Sequence, residues 1–142
     1  MRQRVFVYGT LLRGEVNHHL LEGAERLGEF RTLPCYRLFL LGAYPGLIRG
    51  GRSRIVGEVY AVDSACLRGL DRLEEYPALY DRQHIQTPYG RAWIYVYRGG
   101  LDGRPVIRGG DWRAFAADPA SLRAAGVRAA RDAKTYAWGR AA

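Results

Sequence analysis

Long apolar runs are absent from this 142-residue chain: nowhere do eighteen apolar residues follow one another without a charge. A membrane-spanning helix is therefore not expected. The N-terminal stretch Met1-Arg2-Gln3-Arg4 leads straight into a short apolar run with no cleavage-type segment behind it, which disfavours an export signal. There are only two cysteines, Cys35 and Cys66, and we expect both to be free thiols. Together these absences predict a cytoplasmic protein that contacts no membrane.

Lysine is almost missing, since Lys134 is the single lysine among 22 basic residues. The arginines give a formal net charge of +8 but are spread from Arg2 to Arg140 without a long run. This charge weakly favours anionic ligands. The sequence contains no RNA-recognition signature, zinc-finger spacing or basic zipper, so we expect no nucleic-acid partner. An RNA-associated basic protein is kept only as a remote alternative.

Residue patterns for metals, nucleotides and covalent catalysis are also lacking. The three histidines occur without an H-E-x-x-H or C-x-x-C pattern, which makes a metal site unexpected. The glycine-rich turn near the start has neither the lysine of a phosphate loop nor G-x-G-x-x-G spacing. Cys66 could pair with a histidine as nucleophile and base, but no local signature surrounds it and its position suits burial. We therefore expect no cofactor and no metal.

The composition is that of a globular protein, with 48% hydrophobic and 25% charged residues. Its length fits one domain over residues 1–142. The patterning predicts strands at 4–8, 30–33, 36–41, 55–62, 79–87 and 91–97, a short helix at 15–22, and a loop or hairpin at 42–54. It also predicts a helix from Asp63-Ser64, which supply two N-cap candidates, to Pro77, with Leu67, Leu70 and Leu73 on one apolar stripe. From Asp111 the chain has helical character, broken near Pro119 and Gly126, with a tail that is expected to fray. These elements predict an α+β or mixed α/β fold with a small, curved sheet, and periodicity leaves open whether it closes into a barrel.

The turn Tyr8-Gly9-Thr10-Leu11 is the first candidate site. The preceding strand ends in a glycine, which allows the backbone to approach a ligand closely, and such a turn can aim several N–H groups at an anion. The alternative, which the local sequence taken alone favours, is a simple strand-to-helix turn whose glycine accommodates a positive φ.

The second candidate is the end of the mid-chain helix, where Asp71, Glu74 and Glu75 fall within five residues. Like charges and apolar surroundings raise the pKa of a carboxyl group towards the range of a general base. Asp71 and Glu75 are four residues apart and are expected to share a helix face, with Arg82 available to screen them. A solvated helix end is the alternative. The period-two stripe of Trp93, Tyr95 and Tyr97 fits either a pocket lining or sheet packing.

Several of these motifs resemble one family. VFVYGTL at 5–11, GEVYAVD at 57–63, Leu70-Asp71 followed by Glu74, and PALYDR at 77–82 are similar, in this order, to the γ-glutamylcyclotransferase-like superfamily. The γ-glutamylamine cyclotransferase branch resembles the chain most, and the likeness covers about residues 4–98. Many members place a small residue where this chain has Glu75, which adds a negative charge beside Glu74.

The resemblance implies a mixed barrel with flanking helices, in which Tyr8, Gly9, Thr10 and Leu11 face Glu74 across a cavity. It implies that the chain converts a small γ-glutamyl amine or amide to 5-oxoproline and the free amine. Glu74 would act as general acid and base, and Arg82 or Arg13 would match the charge of the substrate carboxylate. The alternative is a non-catalytic small-molecule binding or regulatory domain of the same fold.

Overall fold

The computed structural model of the protein describes residues 2–126. In chain order the elements are β1 (Gln3–Val7), a 3-10 helix (His18–Leu21), β2 (Glu25–Arg31), β3 (Tyr36–Leu40), β4 (Pro45–Arg49), β5 (Val56–Val62), α1 (Ser64–Glu74), β6 (Tyr80–Thr87), β7 (Gly90–Tyr97), β8 (Val106–Ile107), a 3-10 turn (Arg108–Gly110), α2 (Trp112–Ala116) and α3 (Pro119–Ala124). The expected α+β fold is confirmed.

The strands form two sheets. The larger one is mixed, in the order β2-β5-β1-β7-β6, and the smaller one has the order β4-β3-β8. Strand β1 lies in the middle of the larger sheet, antiparallel to β5 and parallel to β7. Within residues 2–126 the two sheets do not close into one barrel, so the barrel implied by the resemblance is wrong.

The core follows the apolar pattern of the central elements. Val5, Phe6 and Val7 of β1 are buried because this strand has neighbours on both sides and is covered on both faces. Helix α1 buries the predicted stripe Leu67, Leu70 and Leu73, whose spacing places all three on one face.

The N-terminus of α1 is capped as predicted. The side chain of Asp63 accepts a hydrogen bond from the N–H of Cys66 at 2.7 Å. At the other end, Glu75 has left-handed backbone angles, with φ of 53°, and terminates the helix. Glu75 therefore does not continue the helix face of Asp71, and the prediction of a shared face is wrong. Asp71 does pair with Arg82, as expected.

Other differences from the sequence predictions arise in polar or irregular segments. Strand β2 spans Glu25–Arg31 instead of 30–33, because it is an edge strand with mostly exposed, charged residues. The 42–54 segment contains β4 and forms a hairpin with β3. Residues 15–22 form only the 3-10 turn at His18–Leu21. The predicted fraying tail lies outside the described residues beyond Gly126.

Candidate active site

A cavity lies at the carboxyl end of β1. Its walls come from five parts of the chain and comprise Phe6, Val7, Tyr8, Gly9, Thr10, Leu11, Tyr44, Pro45, Glu74, Tyr80 and Tyr95. Glu74 thus lies on the same cavity as all four loop residues singled out from the sequence. The enclosed volume is about 20 Å³, which is room for one water molecule, and the cavity is partly open to solvent.

Hydrogen bonds fix the shape of the loop after β1. The Leu12 N–H donates to the Gly9 carbonyl oxygen at 3.0 Å and closes a turn. Asn17 donates to Thr10 twice, from its side-chain amide to the hydroxyl and from its N–H to the carbonyl oxygen, each at 2.9 Å. Asn17 makes no side-chain capping bond to the following 3-10 turn, so its role is to hydrogen-bond within the loop.

A glycine is required at position 9 because the backbone there lies close to Pro45, and not because of its backbone angles. A Cβ atom placed on Gly9 would lie 2.6 Å from Cγ of Pro45, well inside van der Waals contact. Its φ is outside the positive range, so the interpretation of Gly9 as a positive-φ turn residue is wrong. The loop therefore packs directly on Pro45 at the beginning of β4, which joins the two sheets beside the cavity.

A buried carboxylate, Glu58 of β5, holds the far end of this loop. Its Oε1 accepts hydrogen bonds at 3.0 Å from the Arg13 N–H and from the Tyr60 hydroxyl. Its Oε2 lies 3.4 Å from Nη2 of Arg26 and 3.3 Å from Nη2 of Arg113. Burial by itself would raise the pKa of Glu58, but these four donors outweigh it and hold the pKa below its ordinary value.

Helix α2 closes on the same loop. Arg113 donates to the Arg13 carbonyl oxygen at 3.0 Å, and the Trp112 indole N–H donates to Glu15 at 2.8 Å. Both backbone groups of Arg13 are thus bonded, one by Glu58 and one by Arg113. The sequence analysis named Glu58 only as part of a strand motif. The sequence does contain a sign of its role, because Glu58 is the one charged residue in the otherwise apolar strand Val56–Val62, and a charged side chain in such a strand is usually buried with a partner.

Tyr95 of β7, which is buried, also lines the cavity and lies beside the start of the loop, because β7 is the parallel neighbour of β1. Its hydroxyl donates to Oδ1 of Asp71 at 2.7 Å, and its carbonyl oxygen accepts from the Tyr8 hydroxyl at 2.8 Å. Burial, then Asp71 and then Glu74 raise the pKa of Tyr95, so the phenol stays protonated. Tyr95 is the pocket-lining member of the aromatic stripe, whereas Trp93 stacks on His84 outside the cavity, with ring centroids 3.6 Å apart.

Arg82 is not among the residues that line the cavity. Its guanidinium makes two hydrogen bonds to Asp71, at 3.0 and 3.2 Å, and lies between the rings of Tyr76 and Trp93, 4.4 and 4.3 Å from their centroids. The structure therefore places Arg82 outside the cavity wall, linked to the cavity through Asp71 and then Tyr95. Arg13 is engaged through its backbone at the far end of the loop.

The remaining candidates lie elsewhere. Cys35 and Cys66 are free thiols, as predicted, and burial raises the pKa of Cys66, which makes it a poor nucleophile. Within residues 2–126, no three His, Cys, Asp or Glu side chains come together as a metal site. None of the helices in this range has the length and apolar character needed to cross a bilayer.

Comparison with known proteins extends the resemblance. A model of the family described as gamma-glutamyl cyclotransferase, AIG2-like, matches residues 5–114. The chain is 46% identical over 109 residues to the gamma-glutamylcyclotransferase family protein YtfP of Escherichia coli, covering 77% of this chain and 95% of that protein. The solution NMR structure of E. coli ytfP has a TM-score of 0.65, with 78% of this chain and 96% of that chain covered.

A human protein named gamma-glutamylaminecyclotransferase is 49% identical over 92 residues, which are 58% of this chain and 60% of that protein. A mouse aig2-like protein of known crystal structure has a TM-score of 0.69 at 26% identity and covers 89% of this chain and 94% of its own. The family match continues past residue 98 to the α2 residues that bind the cavity loop. On this evidence the chain belongs to the AIG2-like gamma-glutamyl cyclotransferase family of enzymes.

Proposed function

We propose that this protein converts small γ-glutamyl amines or amides to 5-oxoproline and the free amine, with Glu74 as general acid and base. The observation that carries the proposal is that Glu74 and the loop Tyr8–Leu11 line one cavity. A carboxylate and a backbone turn that line the same cavity suit a ligand that carries both an ammonium and a carboxylate group. The name of the human relative supports an amine as the leaving group.

The reaction needs no co-reactant. The α-amino nitrogen of a γ-glutamyl compound attacks its own γ-carbonyl carbon, and a five-membered ring forms. The attacking nitrogen loses two protons in all: one leaves the α-ammonium and frees the lone pair that attacks, and the second leaves as the new C–N bond forms the lactam. Glu74 accepts these protons one after the other and passes each to the leaving nitrogen. The original amide C–N bond then breaks, the electrons of that bond go to the leaving nitrogen, and the amine departs as an ammonium ion.

Backbone N–H groups of Gly9, Thr10 and Leu11 are proposed to bind the substrate α-carboxylate or the oxyanion that develops on the γ-carbonyl. In comparable sites each such donor contributes about 2.7–4 kcal/mol to the transition state. The bonds that Asn17 makes to Thr10 support this role, because they hold the loop in one conformation before a ligand binds. Arg82 is proposed to act through Asp71 and not by touching the substrate.

Cytoplasmic location and independence of metals, cofactors and nucleic acids stay predictions. Activity that persists in the presence of a chelator would support a site without metal. Failure to bind nucleic acid at low salt would support a small-molecule partner alone.

The decisive test is release of 5-oxoproline from γ-glutamyl amino acids, γ-glutamyl-ε-lysine and glutathione by the unaltered protein and by Glu74→Gln. Glutamine keeps the shape of the side chain and removes the base, so we expect a loss of about 10²–10⁴-fold in turnover with folding unchanged. Glu75→Gln is the matched control, because it removes the same charge from the next, exposed position and should leave turnover within about twofold.

Equal turnover by Glu74→Gln and the unaltered protein would contradict the role of Glu74. No release from any substrate by the unaltered protein, together with retained binding of γ-glutamyl compounds, would favour the non-catalytic binding domain instead.

A further inference from the structure

The phenol of Tyr95 has one hydrogen, and the structure shows where it goes. The hydroxyl lies 2.7 Å from Oδ1 of Asp71. A carboxylate can only accept hydrogen bonds, so Tyr95 is the donor in this pair. The hydrogen of Tyr95 therefore points towards Asp71, which is not among the residues that line the cavity.

Arg82 fixes the carboxylate that receives this hydrogen. It is the cross-strand neighbour of Tyr95 in the β6–β7 pair, and its Nε and Nη2 contact the two oxygens of Asp71 at 3.0 and 3.2 Å. Such two-point binding determines both the position and the plane of a carboxylate. The rings of Tyr76 and Trp93 on either side of the guanidinium restrict Arg82 in turn.

A fixed acceptor for its hydrogen leaves Tyr95 with only lone pairs to offer a ligand. Glu74, one helical turn after Asp71, lines the same cavity. The effect of both carboxylates on the pKa of Tyr95 agrees with this arrangement, because it keeps the phenol protonated. The oxygens of Tyr95 and of the Glu74 carboxylate can thus accept hydrogen bonds from a ligand, whereas the loop 9–11 carries backbone N–H donors.

We propose that Asp71, held by Arg82, is a positioning residue that makes Tyr95 a hydrogen-bond acceptor for the α-ammonium group of the ligand. The ligand is then oriented with its ammonium towards Tyr95 and Glu74 and its carboxylate towards the loop. This inference rests on the proposed function for the class of ligand, but it concerns binding and is tested without turnover.

L-Glutamate and glutarate are suitable probes because they differ only in the α-ammonium group. Their affinities are measured by NMR titration of the unaltered protein, Tyr95→Phe, Asp71→Asn and Asp81→Asn. A hydrogen bond to a charged group is expected to make the unaltered protein prefer L-glutamate by about tenfold or more. Phenylalanine removes the acceptor. Asparagine replaces the charged acceptor with a neutral amide whose NH2 group must face a donor, either of Arg82 or of Tyr95, so the phenol hydrogen is no longer held firmly on α1.

Both substitutions should therefore reduce the preference to below about threefold. Asp81→Asn is the matched control. It also removes a carboxylate from β6, next to Arg82, but Asp81 neither contacts the Tyr95 hydroxyl nor lines the cavity. This variant should therefore keep the preference for L-glutamate over glutarate. Thermal unfolding of each variant shows that the fold is retained, and Tyr95→Phe still decides the matter if Asp71→Asn does not fold.

Kinetics provide a second measurement. Asp71→Asn should raise the KM for a γ-glutamyl substrate about tenfold with a smaller change in kcat, whereas a loss of folded protein would lower kcat alone. An unchanged preference in both variants, or no preference for L-glutamate by the unaltered protein, would overturn the inference. Its failure is distinct from that of the proposed function, which is decided by 5-oxoproline release and Glu74→Gln.

Discussion

Glutamine in place of Glu58 should destabilise the protein by about 3 kcal/mol. An amide has one acceptor oxygen, and its NH2 group would face donors, so two of the four contacts to this side chain are lost. The two that remain lose their charge, which lowers each from about 1.5–3 to about 1 kcal/mol. The two guanidinium contacts count for less, because the Arg26 and Arg113 side chains are 32% and 35% exposed and can turn to water.

Urea unfolding followed by tryptophan fluorescence measures this loss, and its pH dependence identifies the cause. The pKa of Glu58 is lowered in the folded state. The stability that its charged form provides is therefore fully present at pH values above its unfolded-state pKa of about 4.3. It is lost as the pH falls through the lower, folded pKa. The stability gap between the unaltered protein and Glu58→Gln should therefore be widest near pH 7 and narrow between about pH 5 and pH 3.

Glu29→Gln is the matched control. Its carboxylate also contacts Arg26, at 3.8 Å, but the side chain is 74% exposed. The free energy of unfolding should change by less than about 0.5 kcal/mol in this variant. The reasoning would be refuted by a loss of similar size in the two variants, or by a gap for Glu58→Gln that stays constant with pH.

Two further predictions concern backbone positions beside the cavity. Glu75→Gly should raise the free energy of unfolding by about 0.5–1 kcal/mol, because glycine adopts without strain the left-handed backbone angles that end α1. A higher urea midpoint with unchanged 5-oxoproline release would support this prediction, and a lower midpoint would contradict it. Gly9→Ala should lower the free energy of unfolding by about 1–3 kcal/mol, because the new methyl group would overlap Pro45. In the same urea assay, the double variant Gly9→Ala with Pro45→Ala should recover much of this stability. If the double variant recovers none of it, the contact with Pro45 is not the cause.

The central part of the fold could be predicted from the sequence because its signals are local. The apolar stripe of α1, the cap at Asp63 and the alternating hairpin of β6 and β7 follow from side-chain spacing and turn residues. Strand β2 and the two-residue β8 depend on partners distant in the chain, and their own residues are mostly exposed. Local pattern carries little information about such edge strands.

The site was predictable to a similar degree. The loop Tyr8–Leu11 and Glu74 were identified through the resemblance, and the structure brings them to one cavity. The pairing of Asp71 with Arg82 was predictable, but the contact of Asp71 with Tyr95 was not, because it joins α1 to β7 across 24 positions of the chain. The hydrogen bonds that Glu58 and Arg113 make to the backbone of Arg13 likewise join residues far apart in sequence, so the spacing of residues along the chain could not predict them.

The contact between Gly9 and Pro45 has a consequence for how this enzyme family can diversify. One sheet supplies Tyr95 and the loop next to β1, while the other begins with Pro45 at the mouth of the cavity. A change in the length or shape of the hairpin of β3 and β4 is therefore expected to reshape the cavity wall at Tyr44 and Pro45 and to be transmitted to the loop after β1 through Gly9. Glu74 belongs to α1, outside this contact, so the carboxylate is expected to be affected less than the loop.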